Sequence, residues 1–298
     1  MQKVRKCIIP AAGFWTRFLP ATKAQPKEML PIVDKPVIQY VIEELVEAWI
    51  EDIIIVTGYH KRSIEDHFDE PSGELAKILL DWGVKKAKML DALKKISNLA
   101  NFTFVRQKWP YWNGTPLLNV QHLIANEPFI YALADDFIVA SPSRFRQMIS
   151  AYEKYGVMNL SCLRVHNDDD YNRYGFVGGT EIEPWIVDMN VVIEKPGKEN
   201  APGNLAAVCG GLFTPEIFPY LERAKKEMRE WDELYYNNAL KLMLADGKKL
   251  MWVEIKNGKY YDTGNKLEYM KTVVEFALKH EEIGSDFDGW LRDFMQNR

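Results

Sequence analysis

The sequence has few of the features that mark secreted or membrane-spanning proteins. Its three cysteines, Cys7, Cys162 and Cys209, are spread over 298 residues without a CxxC spacing or a histidine cluster, which argues against a disulfide framework or structural zinc. No apolar run approaches the roughly 18 residues of a membrane span. The apolar stretch 7–12, which follows a few basic residues, is too short for a signal peptide. We therefore expect a cytoplasmic protein in a reducing compartment.

The charge balance also excludes a class of partner. The chain has 38 Lys+Arg against 42 Asp+Glu, a formal net charge of -4 at pH 7. It lacks any block of about five basic residues, so nucleic acid is not expected to be a partner. With 47% hydrophobic and 27% charged residues, the composition is that of a globular protein.

Short apolar runs alternate with amphipathic segments in the first half of the chain. Residues 53–56 are apolar without alternation, which is typical of a strand buried on both faces. An order of βαβαβ predicts a doubly wound sheet with ligand-binding loops at the carboxyl ends of its strands. The pattern predicts strands at 7–10, 52–57, 103–106 and 129–133, and helices at 36–49, 62–68, 73–82 and 115–126.

The second half is less regular. It has no Gly/Ser linker and no internal repeat, so we expect a single domain over 1–298 in which a division near residue 140 is arbitrary. We predict an α/β, Rossmann-like fold with a mixed, mainly parallel sheet flanked by helices. The predicted elements are strands at 158–164, 191–194, 206–213 and 250–255, and helices at 215–229, 233–245 and 266–280.

Three loops carry residue types suited to phosphate chemistry. The small-residue turn AAGFWTR, residues 11–17, follows the first strand and can aim backbone N–H groups at a phosphate, with Arg17 adding charge. The proline-bracketed loop 20–31 holds Lys27 in apolar surroundings, as a phosphate-contacting lysine requires. Asp135 and Asp136 follow a strand. Taken singly, these features are equally consistent with an ordinary turn, a solvated lysine and a solvated acidic pair.

Together these loops resemble a known family. The segments KCIIPAAGFWTRFLPATKAQPKEMLPIVDKPVIQY and IEDIIIVTGYHKRSIEDHFD, within residues 3–69, are similar to the bacterial UTP-glucose-1-phosphate uridylyltransferases of the sugar nucleotidyltransferase superfamily. A looser similarity continues through 192–196 and 261–264. The resemblance implies the nucleotide-diphospho-sugar transferase fold and an enzyme that joins a nucleoside triphosphate, UTP, to a hexose 1-phosphate with release of pyrophosphate.

The resemblance also implies roles for individual residues. It implies that Mg²⁺ is held by Asp135 and Asp262, and that Arg17 and Lys27 stabilise the triphosphate during transfer. It implies a nucleotide-binding half at 1–140, with a site formed by Ala11, Ala12, Gly13, Trp15, Thr16, Gln107, Trp112 and Gly114. It implies a sugar-binding and oligomerisation half at 141–298, with a sugar-phosphate site formed by Gly175, Glu194, Lys195 and Cys209.

The sequence departs from the family pattern at functional loops. Trp15 and Cys209 each replace a glycine, and the segments 111–116 and 231–239 replace a glycine-rich loop and a small polar loop. Three explanations stay open. The aromatic residues stack on a different base or sugar, or they fill the pocket of a catalytically impaired paralogue that binds an active homologue, or they are surface accidents.

Apolar side chains near the end of the chain exceed what one core requires. We expect some of them to form an exposed patch that makes the protein a homo-oligomer, a dimer or tetramer. The candidates are Met251, Trp252, Tyr269, Met270, Val273, Phe276 and Trp290.

Overall fold

A computed structural model describes residues 2–14, 16–108, 112–229 and 232–297, without the side chain of Lys85. Its helices are α1 (Val37–Glu47), α2 (Arg62–Phe68), α3 (Gly73–Asp81), α4 (Val84–Ser97), α5 (Thr115–Ile124), α6 (Arg144–Tyr155), α7 (Ile217–Glu227), α8 (Tyr236–Ala245), α9 (Lys266–Lys279) and α10 (Gly284–Gln296). Its strands are β1 (Lys6–Ala11), β2 (Pro31–Ile32), β3 (Lys35–Pro36), β4 (Asp52–Thr57), β5 (Asn101–Arg106), β6 (Phe129–Ala132), β7 (Asp136–Ala140), β8 (Asn159–Arg164), β9 (Gly175–Glu183), β10 (Ile186–Glu194), β11 (Leu205–Phe213), β12 (Met251–Glu254) and β13 (Gly258–Asp262).

The main sheet has nine strands in the described part of the chain, in the order β5-β4-β1-β6-β11-β8-β12-β10-β9. The first four run parallel, with Ile8 opposite Ile54 and Cys7 opposite Ile130. Alternate residues of β1 face opposite cores. Ile9 packs in the layer that contains α1 and α6, whereas Ile8 packs in the layer that contains α5, α7 and α8. The unbroken apolar runs of these strands follow from burial on both faces.

The remaining strands form a largely antiparallel half. Strand β11 runs antiparallel to β6, β8 and β9, while β12 runs parallel to β8 and antiparallel to β10. Two antiparallel ribbons stand out, β9–β10 and the separate pair β7–β13. The predicted α/β fold with a mixed, helix-flanked sheet is confirmed. The prediction of a mainly parallel sheet is wrong, because the main sheet of the described residues pairs four strand pairs in parallel and five antiparallel. The parallel pairs lie mostly in the first half of the chain, and the long hairpins of the second half supply the antiparallel ones.

Several elements have no counterpart in the sequence prediction. Helix α4 was missed because its lysines leave a weak apolar stripe, in which Leu90 is the buried member. Strand β9 was missed because Gly178 and Gly179 interrupt its alternation. The missed α6 does carry the helical spacing, with Phe145 and Met148 among its buried residues. Strand β7 and helix α10 were also not predicted.

The expected apolar patch near the end of the chain is smaller than its candidates suggested. Trp252 is 2% exposed and Met251 6% exposed, so both belong to the core. Met270 and Trp290 are exposed at 54% and 56%. Within α10, whose residues are all described, only Gly284 is buried.

Among the described residues, no helix is both long and apolar enough to span a membrane.

A bulge in β11 brings backbone atoms into close contact. Cys209 and Gly210 both adopt positive φ angles, 62° and 98°, and the pairing with β8 shifts between Ala207 and Gly211. A Cβ atom on Gly210 would overlap the carbonyl oxygen of Tyr131 in β6. Residue 210 must therefore be glycine for both conformational and steric reasons.

Gly210→Ala is expected to lower the free energy of unfolding by at least about 2 kcal/mol, because it adds both the overlap and a positive-φ penalty. Urea-induced unfolding measures the change. Gly203→Ala is the control, since a Cβ at that position meets no atom within 4 Å, and it should stay within about 0.5 kcal/mol of the parent. Equal stability of the two variants would contradict the steric account.

Candidate active site

The principal cleft lies at the carboxyl ends of β1 and β6, where a doubly wound sheet is expected to bind its ligand. Its volume is about 410 Å³. The predicted residues that line it are Ala12, Gly13, Lys27, Gln107, Trp112 and Asp135. Residues from separate loops, some predicted from their types and others from the family resemblance, thus share one cavity.

The turn after β1 presents backbone and small side chains to this cleft. Ala11 and Ala12 are buried, at 0% and 2% exposure, whereas a Cβ on Gly13 would meet nothing within 4 Å. Thr16 and Arg17 follow in an exposed 3₁₀ turn, and an Arg17 guanidinium nitrogen donates to the carbonyl oxygen of Gly264 at 3.4 Å. Trp15 lies outside the described residues, so its role stays a prediction.

Lys27 is held against Asp135. Its Nζ lies 2.6 Å from Oδ2 of Asp135. Burial disfavours the lysine charge, but Asp135 and Glu28 together outweigh burial and raise the pKa of Lys27. The lysine therefore remains a cation in the cleft, as an anion-binding role requires.

A second, buried ion pair holds the loop that contains Lys27 in place. Glu28 is fully buried, and its Oε2 accepts a hydrogen bond from Nζ of Lys61 at 2.7 Å. Burial raises the pKa of Glu28 and lowers the pKa of Lys61, so each group is charged only because of the cations or anions beside it. This pair ties the loop of Lys27 to the segment that precedes α2. The sequence analysis did not single it out, although a glutamate next to the apolar MLP segment was a signal.

The carboxylates of Asp136 and Asp262 lie near the pair of Lys27 and Asp135. The β7–β13 register places Asp262 opposite Asp136, and the hydroxyl of Thr263 donates to the backbone carbonyl oxygen of Asp135 at 2.6 Å. Burial, together with the charges of Asp135 and Asp262, raises the pKa of Asp136 to about 7. The Tyr260 hydroxyl donates to Asp136 at 3.1 Å.

Asp262 is itself neutralised by groups from the segment before β9. Its Oδ2 accepts from the Arg173 guanidinium and, at 2.9 Å, from the Tyr174 hydroxyl. Its Oδ1 accepts from the backbone N–H of Gly264 at 2.9 Å. Arg173 was not predicted, because the 89 residues that separate it from Asp262 hide the contact from sequence reasoning.

The chemistry of this donor set suits a magnesium ion. Asp135 lies just before β7, and Asp262 ends β13, the strand that pairs with β7. Mg²⁺ is usually held by one or two carboxylates together with substrate phosphates rather than by a full protein cage. Among the described residues, no group of three or more His, Cys, Asp or Glu side chains is placed to hold a metal ion.

Residues predicted to bind a sugar phosphate gather at the end of the β9–β10 ribbon next to Arg173 and Tyr174, where the backbone N–H of Lys195 donates to the carbonyl oxygen of Tyr174 at 3.1 Å. Gly175 pairs with Glu194, and a Cβ at residue 175 would lie 3.0 Å from Oε2 of Glu194. That oxygen accepts from Nδ2 of Asn237 at 2.8 Å, while the buried Oδ1 of Asn237 has no hydrogen-bond partner among the described residues. Asn237 was missed. Lys195 is exposed, with a positive φ of 44°.

Two predicted residues lie behind the site surface. Cys209 is 1% exposed, and its thiol contacts Asp136, while burial raises the thiol pKa well above its usual value. Gly114 donates its N–H to the carbonyl oxygen of Leu234 at 2.8 Å, and a Cβ there would clash with Leu234. Both positions therefore shape the site through close packing rather than by presenting a side chain.

Aromatic residues flank the end of the cleft where a base is predicted to bind. Trp112 is 46% exposed and lines the cavity, and its ring centroid is 6.3 Å from that of Tyr235. Gln107 lines the same cavity, and its backbone N–H donates to the carbonyl oxygen of Thr57 at 2.8 Å. Trp112 thus stands at the edge of the cleft without filling it.

Comparison with known proteins decides the family. The nucleotidyl transferase family model matches residues 6–277. The chain belongs to the nucleotidyl transferase family. This family generally uses a divalent metal ion. The resemblance inferred from residues 3–69 is therefore confirmed.

Two bacterial proteins similar to this chain have the same name. A Bacillus subtilis protein named UTP–glucose-1-phosphate uridylyltransferase is 44% identical over 283 residues, which cover 95% of this chain and 94% of the relative. A Staphylococcus epidermidis protein of the same name is 41% identical over 292 residues, covering 98% and 99%.

Solved structures of similar nucleotidyl transferases share the fold. A UDP-glucose pyrophosphorylase complexed with UDP-glucose has a TM-score of 0.82 at 36% identity and covers 93% of this chain and 100% of its own. A UTP-bound UGPase from Acinetobacter baumannii has a TM-score of 0.83 at 31% identity, covering 97% and 99%.

Lys61→Met is expected to lower the free energy of unfolding by about 3 kcal/mol, because it strands the buried Glu28 carboxylate. Adding Glu28→Gln to it should restore stability to within about 1 kcal/mol of the parent, since no unpaired charge then remains. Urea unfolding of the single and double variants measures both. Lys35→Met, which breaks a more exposed pair with Glu43, is the control and should cost under about 1 kcal/mol. Additive losses in the double variant would refute the coupling.

Proposed function

We propose that this chain is a UTP-glucose-1-phosphate uridylyltransferase. It joins UTP to a hexose 1-phosphate, glucose 1-phosphate, to give UDP-glucose and pyrophosphate. The observation that carries the proposal is that Lys27 pairs with Asp135 in the cleft, next to the end of β13 that carries Asp262. Full-length relatives named for this reaction, at 41–44% identity, support it.

The residues of the cleft act mainly by positioning two polyanions. Arg17 and Lys27 bind the triphosphate, and their charges stabilise the negative charge that develops as the sugar phosphate oxygen attacks the α-phosphorus in line. Backbone N–H groups near Gly13 bind phosphate oxygens. The transfer needs no covalent intermediate on the protein.

The sugar phosphate is held at the end of the β9–β10 ribbon where β9 begins and β10 ends. Glu194 accepts hydrogen bonds from sugar hydroxyls, and the unpaired Oδ1 of Asn237 accepts another. Gly175 leaves room for the sugar beside Glu194, and Lys195 contacts the phosphate. Lysine suits that role because its ammonium is a flexible point charge.

We assign the family's metal in this chain to Mg²⁺, held by Asp135 and Asp262 together with substrate phosphates. Bound there, it neutralises charge on the reacting phosphates. Lys27 and Arg173, which pair with these carboxylates, shift toward phosphate oxygens when substrate enters.

The aromatic residues decide between two alternatives, a pocket that they fill and a pocket in which they stack on a different base or sugar. A cleft of about 410 Å³ with Trp112 half-exposed at its edge favours binding over a pocket closed by that side chain. We propose that Trp112 stacks on the base, because an exposed indole is a good platform for one.

The chain is also proposed to be cytoplasmic. All three cysteines are described, free and buried, which suits a reducing compartment.

Asp135→Asn and Asp262→Asn are each expected to reduce kcat/KM by at least about a hundredfold, because each weakens the electrostatic clamp on the phosphates. Pyrophosphate release from UTP, glucose 1-phosphate and Mg²⁺ measures activity, and far-UV circular dichroism should be unchanged. The matched control is Asp66→Asn on the surface of α2, 62% exposed, which should retain full activity. Full activity in either site variant would remove the metal assignment.

UTP with Mg²⁺ is expected to bind with a micromolar Kd by calorimetry, and Trp112→Ala should weaken binding about tenfold through lost stacking. Trp49→Ala, at an exposed residue away from the cleft, is the control. Tighter binding of another nucleoside triphosphate would favour a pocket whose aromatic residues stack on a different base. Absence of binding to all four common triphosphates would reject the enzyme and favour the impaired paralogue.

A homo-oligomer is expected because α9 and α10 expose a group of large apolar side chains, and such patches are uncommon on monomers. The residues are Leu267, Met270, Trp290, Phe294 and Met295. Light scattering should give a dimer or tetramer, and Trp290→Glu should shift the mass toward the monomer. A monomeric mass for the unmodified protein at micromolar concentration would refute the expectation.

A further inference from the structure

A second cavity, of about 320 Å³, lies at the opposite ends of the two ribbons that carry the active-site acids. Glu194 ends β10 at the active site, whereas Ile186 begins it at this cavity. The strand has nine residues, so at about 3.3 Å per residue its ends are roughly 26 Å apart. The cavity is therefore separate from the cleft that holds Lys27 and Asp135.

Trp185 forms one wall in an unusual backbone conformation. It sits between β9 and β10 with a φ of 77° and is 40% exposed. A bulky residue is rarely found at positive φ, and such strain persists where surrounding contacts hold it. Here the carbonyl oxygen of Trp185 accepts from the N–H of Glu254 at 2.9 Å. The indole is thus presented to the cavity by a fixed backbone.

The charges around the indole are unequal. Lys154 pairs with Glu183, and that hydrogen bond is the main cause of the lowered pKa of Glu183. Lys256 places its Nζ 5.4 Å from the centroid of the Trp185 ring and forms no ion pair with any described residue. The side chains that line the cavity thus include two lysines and one glutamate, while Glu181, outside this lining, accepts a hydrogen bond from the Trp185 backbone N–H at 3.3 Å. Lys256 therefore provides a cation beside an aromatic surface.

The loop of Lys256 is fixed before any ligand arrives. The Gln147 amide nitrogen of α6 donates to the carbonyl oxygens of Pro142 at 2.8 Å and Lys256 at 3.1 Å, and its Oε1 accepts from the N–H of Lys256 at 2.9 Å. A site ordered in this way loses little entropy when it binds.

We propose that this cavity binds a small molecule with one flat ring and one anionic group. The ligand ring takes the place of the Lys256 ammonium over the Trp185 ring, and the displaced ammonium pairs with the anion. The apolar side chains of Ile186 and Val253 cover the rest of the ligand ring. The geometry of the cavity carries this proposal independently of the activity at the other cleft.

Fluorine NMR of protein labelled with 5-fluorotryptophan tests it, with phenyl phosphate as the probe. The Trp185 resonance is assigned by its loss in Trp185→Phe, and titrations run with and without UTP and Mg²⁺. We expect a saturable shift of that resonance with a Kd of about 1 mM or below in both titrations. Phenol and inorganic phosphate should each bind at least about fivefold more weakly, since each supplies half of the recognition.

Charge dependence is tested with Lys256→Gln, which should weaken phenyl phosphate at least about fivefold, whereas the exposed Lys225→Gln on α7 should leave its affinity unchanged. Thermal melts establish that both variants fold. The proposal is overturned by the absence of a saturable Trp185 shift up to about 20 mM probe, by equal affinity for phenol, or by unchanged affinity in Lys256→Gln.

Discussion

The candidate site depends on opposite charges that neutralise one another where little water reaches them. Lys27 faces Asp135, and Lys61 faces Glu28 just beneath. Either Lys61 or Glu28, left unpaired in the interior, would cost several kcal/mol. A phosphate that draws Lys27 toward itself leaves Asp135 able to take up a cation. Anion binding by Lys27 and cation binding by Asp135 are therefore energetically linked.

The sheet explains why these charges meet. Parallel strands β1 and β6 end side by side, so the small-residue turn after one and the acidic turn after the other face a common cleft. The antiparallel half then adds two ribbons whose ends deliver Asp262 and Glu194 to the same edge. Helices on both faces leave the carboxyl ends as the accessible part of the sheet.

Sequence reasoning succeeded where local pattern decides structure. Continuous apolar runs located β1 and β4 because both of their faces are buried. It failed where contacts are distant in sequence. Asn237 approaches Glu194 across 43 residues, and no spacing rule connects them. The sheet extension through β9 was hidden because its glycines are selected by close packing against Asp188 and Pro202 rather than by strand propensity.

The register of β7 against β13 restricts how the length of the chain can vary in evolution. Tyr261 stacks on Phe137 in the core, with ring centroids 5.0 Å apart, whereas the neighbouring Tyr260 donates to Asp136. Because side chains alternate along a strand, one residue inserted or deleted within β13 would exchange the two tyrosines and carry Asp262 out of line. Changes in chain length are therefore expected to be tolerated in the connection between β12 and β13 and not within β13 itself.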